Sequence, residues 1–394
     1  MLGDFTLTLP TRVHFGSHAL DALPEELARY GSRVLLTYGG KSAKATGLYD
    51  RVIAALADAG KEIWEVSGIT ANPTFTKVLE VAHAIREHDV DLVIAVGGGS
   101  VIDCSKDASA LAWQEGTPEE LWARFYYDGE QVAPEDRVTP VGCILTIPAT
   151  GSEMNRGGVT TNEETREKLE MVGDEVRTIP EFALLDPTLT YTLPRYQMVS
   201  GCYDILCHCM EQYFSGDDDC VSDYLAEGVM RAIISATNAA VADPMDYEAR
   251  SNIMWCATWG LNGVIGIGKD QDWQLHDLGQ SISAFTGATH GMTLSALTKA
   301  YYRHVLPAGM HRFARFATAV WGIPAEGKTD EELAAAGLDA LDAWLRGIGC
   351  VMNITELGVT EDMIEGIAAV TPLEESGYHP FTTEEFVEVL LESL

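Results

Sequence analysis

Asp204 and His208 stand four positions apart in the stretch Asp204-Ile205-Leu206-Cys207-His208. On an α-helix that spacing puts a carboxylate and an imidazole on one face, a single turn from each other. His276 and His290 follow later, flanked by Gly279, Gly287 and Gly291 in a pattern that suits a helix followed by a turn. One carboxylate oxygen and three imidazole nitrogens form a donor set for a divalent transition metal, so these four are the candidate metal ligands and catalytic centre. A histidine in a protein core is ordinarily a hydrogen-bonded packing residue; the paired carboxylate is what marks His208. His14, His18, His83, His88, His304, His311 and His379 lack such a pattern and read as ordinary core or surface residues. Cys202, Cys207 and Cys209 offer a rival thiolate set in the same segment. On a helix, however, Cys207 and Cys209 project about 100° to either side of His208, so they read as core thiols.

A second chemistry is written in glycine. Gly97-Gly98-Gly99-Ser100 follows directly on Leu92-Val93-Ile94-Ala95-Val96, an apolar run expected to be a strand covered on both faces. Glycines let a backbone approach a ligand closely, and the helix that follows offers N–H groups and a positive dipole end to a phosphate. The run is neither the G-x-G-x-x-G fingerprint nor a P-loop, and alone it reads equally well as a tight turn. Gly39-Gly40 closes an earlier strand in the same manner, and two such turns at strand C-termini of one sheet mark a nucleotide crevice. The first turn, Thr37-Tyr38-Gly39-Gly40-Lys41-Ser42-Ala43-Lys44, carries no acid to hold ribose hydroxyls. With Gly39, Gly40, Ser42 and Lys44 as candidate contacts, the expected cofactor is NADP(H), and NAD(H) is the alternative.

The elements that must carry these residues alternate in the first half. Strands are expected over residues 34–38, 63–67, 92–96 and 141–147, and helices over 51–59 and 74–88. Such alternation specifies a parallel sheet with right-handed crossovers. The two prolines of 186–194 suit a domain connection, and long helical patterns follow over 198–214, 222–241 and 247–261. The expected fold is therefore an α/β domain with a parallel sheet over 1–187 and an all-α, metal-binding domain over 188–394. A chain of 394 residues is long enough for two cores.

Composition narrows the partners. With 26 basic against 59 acidic residues the formal charge is −33, which repels nucleic acid and anionic membrane surfaces. The Asp217-Asp218-Asp219 run reads as a solvated loop. Met1-Leu2-Gly3-Asp4-Phe5 has neither a basic nor an apolar leader segment, no run reaches membrane-span length, and the eight cysteines fall at irregular spacings. A cytoplasmic location with reduced thiols is expected.

Several blocks occur in order: Leu36-Thr37-Tyr38-Gly39-Gly40, Gly97 through Asp103, Pro148-Ala149-Thr150-Gly151-Ser152-Glu153, Tyr203 through Tyr213, and Gln271 through Gly279. Together they make the chain resemble the iron-containing (group III) alcohol dehydrogenases along nearly its whole length, in the branch of NADPH-dependent butanol dehydrogenases and aldehyde reductases. The resemblance implies a dehydroquinate synthase-like, Rossmann-type N-terminal domain. It implies the same four metal ligands, holding Fe2+ or Zn2+. Pyrophosphate contacts are implied at Gly98, Gly99 and Ser100, and further cofactor contacts at Asp103, Thr146, Thr150, Asn155 and Lys168. A homodimer that interconverts an aldehyde and a primary alcohol with NADP(H) is expected. Where many relatives carry histidines, this chain has Gln280 and Thr286, and glutamine cannot relay a proton near neutral pH. Two other readings follow from the shared fold: a dehydroquinate synthase-type lyase, and a weakly active or non-catalytic nucleotide- and metal-binding protein.

Overall fold

The computed structural model describes residues 3–173, 176–216 and 219–394, with Ser42 described by its backbone only. It divides into two compact units, one spanning Thr8–Thr192 and the other Leu193–Leu394 together with the N-terminal residues up to Leu7. The division thus falls five residues beyond the 187/188 boundary read from the prolines. Those prolines serve other ends. Pro187 opens a 3-10 turn, Pro187–Thr190, in which Asp186 caps Thr188 N–H at 2.9 Å, and Pro194 is the N-cap of the next helix. The N-terminal residues, expected in the α/β domain, join the helical unit through Gly3 N–H to Gly268 C=O at 2.8 Å.

Among the described residues the first unit has eight strands: β1 Arg12–Phe15, β2 Arg33–Tyr38, β3 Glu62–Val66, β4 Leu92–Gly98, β5 Val141–Ile147, β6 Gly158–Asn162, β7 Glu167–Met171 and β8 Phe182–Leu185. Six of them form a sheet in the order β1-β8-β5-β4-β2-β3 with every pairing parallel. β4 lies inside, paired on both edges and buried along its whole length, which is why its sequence has no polar alternation. The helices Leu48–Asp58, Phe75–Glu87 and Gly99–Leu111 connect strands of this sheet. Val34, Leu36, Val52, Leu56, Leu92 and Ile94 pack together in one of its cores. Thr74 caps the second helix by accepting from Lys77 N–H at 3.2 Å. Three features had no sequence expectation: β1, β8 and the antiparallel β6–β7 hairpin. β8 inserts between β1 and β5, and Gly142 makes room for it, since a Cβ there would lie 2.2 Å from the Phe182 ring.

The second unit is helical. Its long helices are Arg195–Tyr213, Val221–Ala242, Tyr247–Gly260, Gln274–Thr286, His290–Ala319 and Asp330–Ile348. Arg195–Tyr213 is buried without interruption from Met198 to Tyr213, so it has no solvent face and its neighbours enclose it. Its polar members Asp204, His208, Glu211 and Gln212 are therefore inside the protein and must find partners there. Gln212 does so structurally, donating to His208 C=O and Gly260 C=O at 2.8 Å each. His290–Ala319 bends near Pro307, with Gly309 in a non-helical conformation that a Tyr378 ring packs against. All eight cysteines are free thiols, buried except for the half-buried Cys220. Among the described residues no helix is long and apolar enough to cross a membrane.

Candidate metal centre and nucleotide turn

Three helices of the second unit bring the sequence-predicted ligands to one point. Asp204 and His208 sit one turn apart in Arg195–Tyr213, His276 lies in the first turn of Gln274–Thr286, and His290 is the first residue of His290–Ala319. Gly287, in the left-handed region at φ 71°, ends the His276 helix and turns the chain toward His290. Gly291 then allows the close approach: a Cβ there would stand 2.2 Å from the Ser200 carbonyl oxygen. Gly279 does the same between the two histidine helices, where Thr293 Oγ1 donates to Gly279 C=O at 2.9 Å.

Asp204 Oδ1 is the hub. It lies 3.9 Å from His208 Nε2, 3.6 Å from His276 Nε2 and 3.7 Å from His290 Nε2. These gaps are too long for hydrogen bonds. Two ligands each about 2.1 Å from a tetrahedral metal ion stand about 3.4 Å apart, so the gaps suit a cation among the four. Asp204 Oδ1 and His276 Nε2 are both buried and have no hydrogen-bond partner among the described residues. Orphaned buried polar atoms that face one another are costly unless something bridges them, and a divalent cation fits this oxygen–nitrogen set. The His208 and His276 rings stack at 4.6 Å, and the Trp273 ring meets both edge-on.

Glu211 is a residue of the candidate site that sequence reasoning missed. Its Oε1 accepts the His276 backbone N–H at 3.1 Å, its Oε2 is hydrogen-bonded to His276 Nδ1, and Cys207 Sγ donates to the same Oε2 at 3.3 Å. A carboxylate oxygen that accepts here assigns a proton to Nδ1 and turns Nε2 toward Asp204. Burial alone would lower the His276 imidazole, but Glu211, then Cys207 and Asp204, raise it well above its ordinary value. His208, dominated by burial, is pushed down to about 4 and keeps the neutral form a metal requires. Burial alone would raise Asp204, yet the surrounding imidazoles hold it below the usual carboxylate range. Asp204, His276 and His290 offer ligand atoms all within 4.8 Å of one another, with His208 just outside that trio, and Cys207, Glu211 and His276 form a second one. Burial and the Glu211 charge push the Cys207 thiol up, burial does so for Cys209, and Cys202 rises to about 11. All three belong to the apolar core, as thiols.

The remaining histidines lie elsewhere: His14 on Glu26, His18 on Asp21, His83 on Glu87, His88 stacked on Trp64, His304 on Glu392, His311 against Tyr378 and His379 on Glu385. Thr286 Oγ1 donates to Ile282 C=O and accepts from Ala288 N–H, which is a helix-end role. Gln280 is half-buried one turn beyond His276. Of the acidic run, Asp217 and Asp218 lie outside the described residues, and Asp219 pairs with Arg315 at 2.8 Å.

In the first unit Gly98 ends β4 and Gly99 begins the next helix, with the β4–β5 register slipping between Gly97 and Gly98. A Cβ would come within 2.4 Å of Val101 at Gly97, 2.8 Å of Ile147 at Gly98 and 2.4 Å of Thr150 Oγ1 at Gly99. The turn is thus glycine-rich because protein packs on it. Beside it runs one polar network. The fully buried Lys106 Nζ donates to Asn155 Oδ1 at 2.8 Å and to Ser152 C=O at 3.1 Å, Asn155 Nδ2 donates to Thr150 C=O, and Ser152 Oγ donates to Asp103 Oδ1. Ser100, Asp103, Thr150 and Asn155 are therefore gathered at this turn, and Thr146 lies close to the end of β5. Lys168 stands on the hairpin, donating to Asn72 Oδ1 at 3.0 Å. Gly39 and Gly40 follow directly on the neighbouring strand β2; Gly39 is 3.1 Å from Ile69 C=O by its would-be Cβ, whereas Gly40 is open. Lys44 is exposed beside them, and the Ser42 side chain lies outside the described residues.

A model of the iron-containing alcohol dehydrogenases matches residues 10–187, and one of the C-terminal domain of the same family matches 198–394. The chain belongs to the iron-containing alcohol dehydrogenase family. It is 36% identical to NADH-dependent butanol dehydrogenase A of Clostridium acetobutylicum over 99% of each chain. It is also 36% identical to the NADPH-dependent aldehyde reductase YqhD of Escherichia coli, over 95% of this chain and 94% of that one. Among solved structures, NADH-dependent butanol dehydrogenase A of Thermotoga maritima superposes with a TM-score of 0.92 at 33% identity, covering 100% of this chain and 99% of that one. This iron-containing alcohol dehydrogenase family member is accordingly a metal-dependent alcohol dehydrogenase or aldehyde reductase, and a divalent metal and a nicotinamide cofactor go with the family.

Proposed function

We propose that Asp204, His208, His276 and His290 hold the divalent metal, that the turn Gly98-Gly99-Ser100 takes the pyrophosphate, and that the enzyme reduces aldehydes to primary alcohols with NADP(H). Iron is the metal we favour, and zinc suits the same donor set. The observation that carries the reading is the buried Asp204 oxygen standing 3.6–3.9 Å from three imidazole nitrogens. When bound, the metal supplies Lewis acidity at the carbonyl oxygen and the nicotinamide supplies hydride.

The chain's own residues do the rest. Glu211 keeps the Nδ1 proton on His276 and so fixes which nitrogen faces the site. The Trp273 ring walls the His208 and His276 side, excluding water there. Lys106, through Asn155 and Ser152, holds the loop after β5 against the Gly99 turn. Gln280 can orient a hydroxyl but not titrate, so the proton that completes the alcohol comes from solvent. Lys44, exposed at a first turn that carries no acid, supports NADP(H) over NAD(H). A homodimer in the cytoplasm is part of the same proposal, and light scattering of the purified chain tests the first half.

One experiment tests the core of it: oxidation of NADPH and NADH over a panel of aldehydes, with metal analysis of the same sample. His276→Ala and His290→Ala are each expected to lose metal and turnover together. A fully active, metal-depleted variant would refute the ligand assignment.

A further inference from the structure

We infer that Tyr38, Tyr49 and Glu65 form a platform that presents the Lys44 ammonium to the 2′-phosphate of the dinucleotide at the Gly39-Gly40 turn. This deepens the cofactor reading above and rests on it.

The platform is assembled from three separate elements. Tyr38 is the last residue of β2, immediately before Gly39. Glu65 stands on the adjoining β3, where the register sets it beside Leu36, two residues from Tyr38 and so on the same face of the sheet. Tyr49 comes from the first turn of the helix Leu48–Asp58. The two phenols divide the carboxylate between them: Tyr38 OH donates to Glu65 Oε2 at 2.7 Å and Tyr49 OH to Oε1 at 2.8 Å. Their rings meet edge to face at 5.5 Å. Lys44 Nζ rests over both, 4.4 Å from the Tyr49 centroid and 5.1 Å from that of Tyr38.

Each contact has a physical consequence for the cation. A ring face attracts an ammonium within about 6 Å of its centroid. A phenol that donates a hydrogen bond to a carboxylate is more electron-rich, so Glu65 strengthens both faces without standing in a direct ion pair with Lys44. The aromatic faces hold the ammonium but consume none of its three donors fully, so N–H groups remain for an incoming anion. A lysine stem is otherwise free to rotate about four bonds; a platform that restrains it beforehand lowers the entropy lost on binding. Lys44 is raised above its ordinary value, through Tyr38 first, and stays charged. The turn beside it is accessible, since a Cβ on Gly40 would have no atom within 4 Å. A phosphate monoester carrying about −1.5 to −2 charge gains from such a cation, whereas a bare ribose hydroxyl gains little. The platform is therefore a selector between phosphorylated and unphosphorylated dinucleotides.

The test uses the metal-loaded full chain, with KM and kcat measured separately for NADPH and NADH against one aldehyde. Lys44→Met is expected to lower kcat/KM for NADPH roughly tenfold through KM, with NADH changed less than about twofold. Tyr49→Leu keeps the lysine but removes the nearer ring, and should cost NADPH roughly three- to fivefold. Glu65→Gln decides by sign. A lower NADPH preference supports the platform, and a higher one shows Glu65 repelling the phosphate directly and overturns it. Equal effects of Lys44→Met on both dinucleotides, or an unchanged ratio in Tyr49→Leu, also overturn it while leaving the dehydrogenase assignment intact. A wild-type chain that oxidises neither dinucleotide with any aldehyde would instead sink the functional reading itself.

Discussion

Replacing Glu211 by glutamine preserves shape and volume behind the metal centre and removes a single charge. The Glu211 side chain is 1% exposed, so nothing from solvent can take over its role. It receives three donors, His276 N–H, His276 Nδ1–H and Cys207 Sγ–H, and can return none. A glutamine amide can donate as well as accept, so His276 loses its fixed tautomer, and a fraction of imidazoles turns a protonated Nε2 toward Asp204. The carboxylate's contribution to His276 basicity goes with it. Losses of this kind typically weaken metal affinity roughly 10–100-fold, equivalent to about 1.4–2.7 kcal/mol. The assay is competition between the apoprotein and a chromophoric chelator at fixed pH, with circular dichroism as a check on folding and turnover measured at saturating metal. We expect a raised metal Kd and turnover partly regained when metal is abundant. A folded Glu211→Gln protein with unaltered metal affinity would refute the role assigned to this carboxylate.

Three further outcomes are expected. Gly99→Ala places a methyl 2.4 Å from Thr150 Oγ1 and should destabilise by roughly 1–3 kcal/mol while weakening dinucleotide binding, whereas Gly40→Ala meets no atom within 4 Å and should leave Tm unchanged. Asp107, pushed up to about 7 by burial and then by Asp103, is raised above its unfolded value, so the folded chain holds the extra proton. Its contribution is present at low pH and is lost as pH rises from about 4 through about 7, by roughly 4 kcal/mol in all. Urea titrations at several pH values should show a flatter profile for Asp107→Asn, and an identical profile would count against the shift. Asp223→Ala strips the shared partner from the buried Lys269 at 2.7 Å and Arg312 at 3.0 Å, and should cost roughly 3–5 kcal/mol, read by denaturant unfolding. Little change there would mean water reaches the pair.

What the sequence determined by itself is the part of the site that helix geometry makes local. Asp204 and His208 share a face because a helix repeats every 3.6 residues, and Glu211 lies one turn further on the same face, where that periodicity could have found it. The apolar run of β4 and the glycines after it were equally legible, since a strand covered on both faces and a turn with no room for Cβ leave their mark in residue type. Strands β1 and β8 were not: each has four residues, too few for a pattern, and the insertion of β8 beside β5 depends on the missing side chain of Gly142. Nor does the sequence say that Gly3 bonds to Gly268, or that Glu65 reaches Tyr38 and Tyr49. Only the tertiary structure decides that His276 and His290 meet Asp204, because that meeting depends on how closely three helices pack, and Gly279 and Gly291 set that distance. Residue type and period act within a few turns of chain; convergence of distant segments is a property of the packed core.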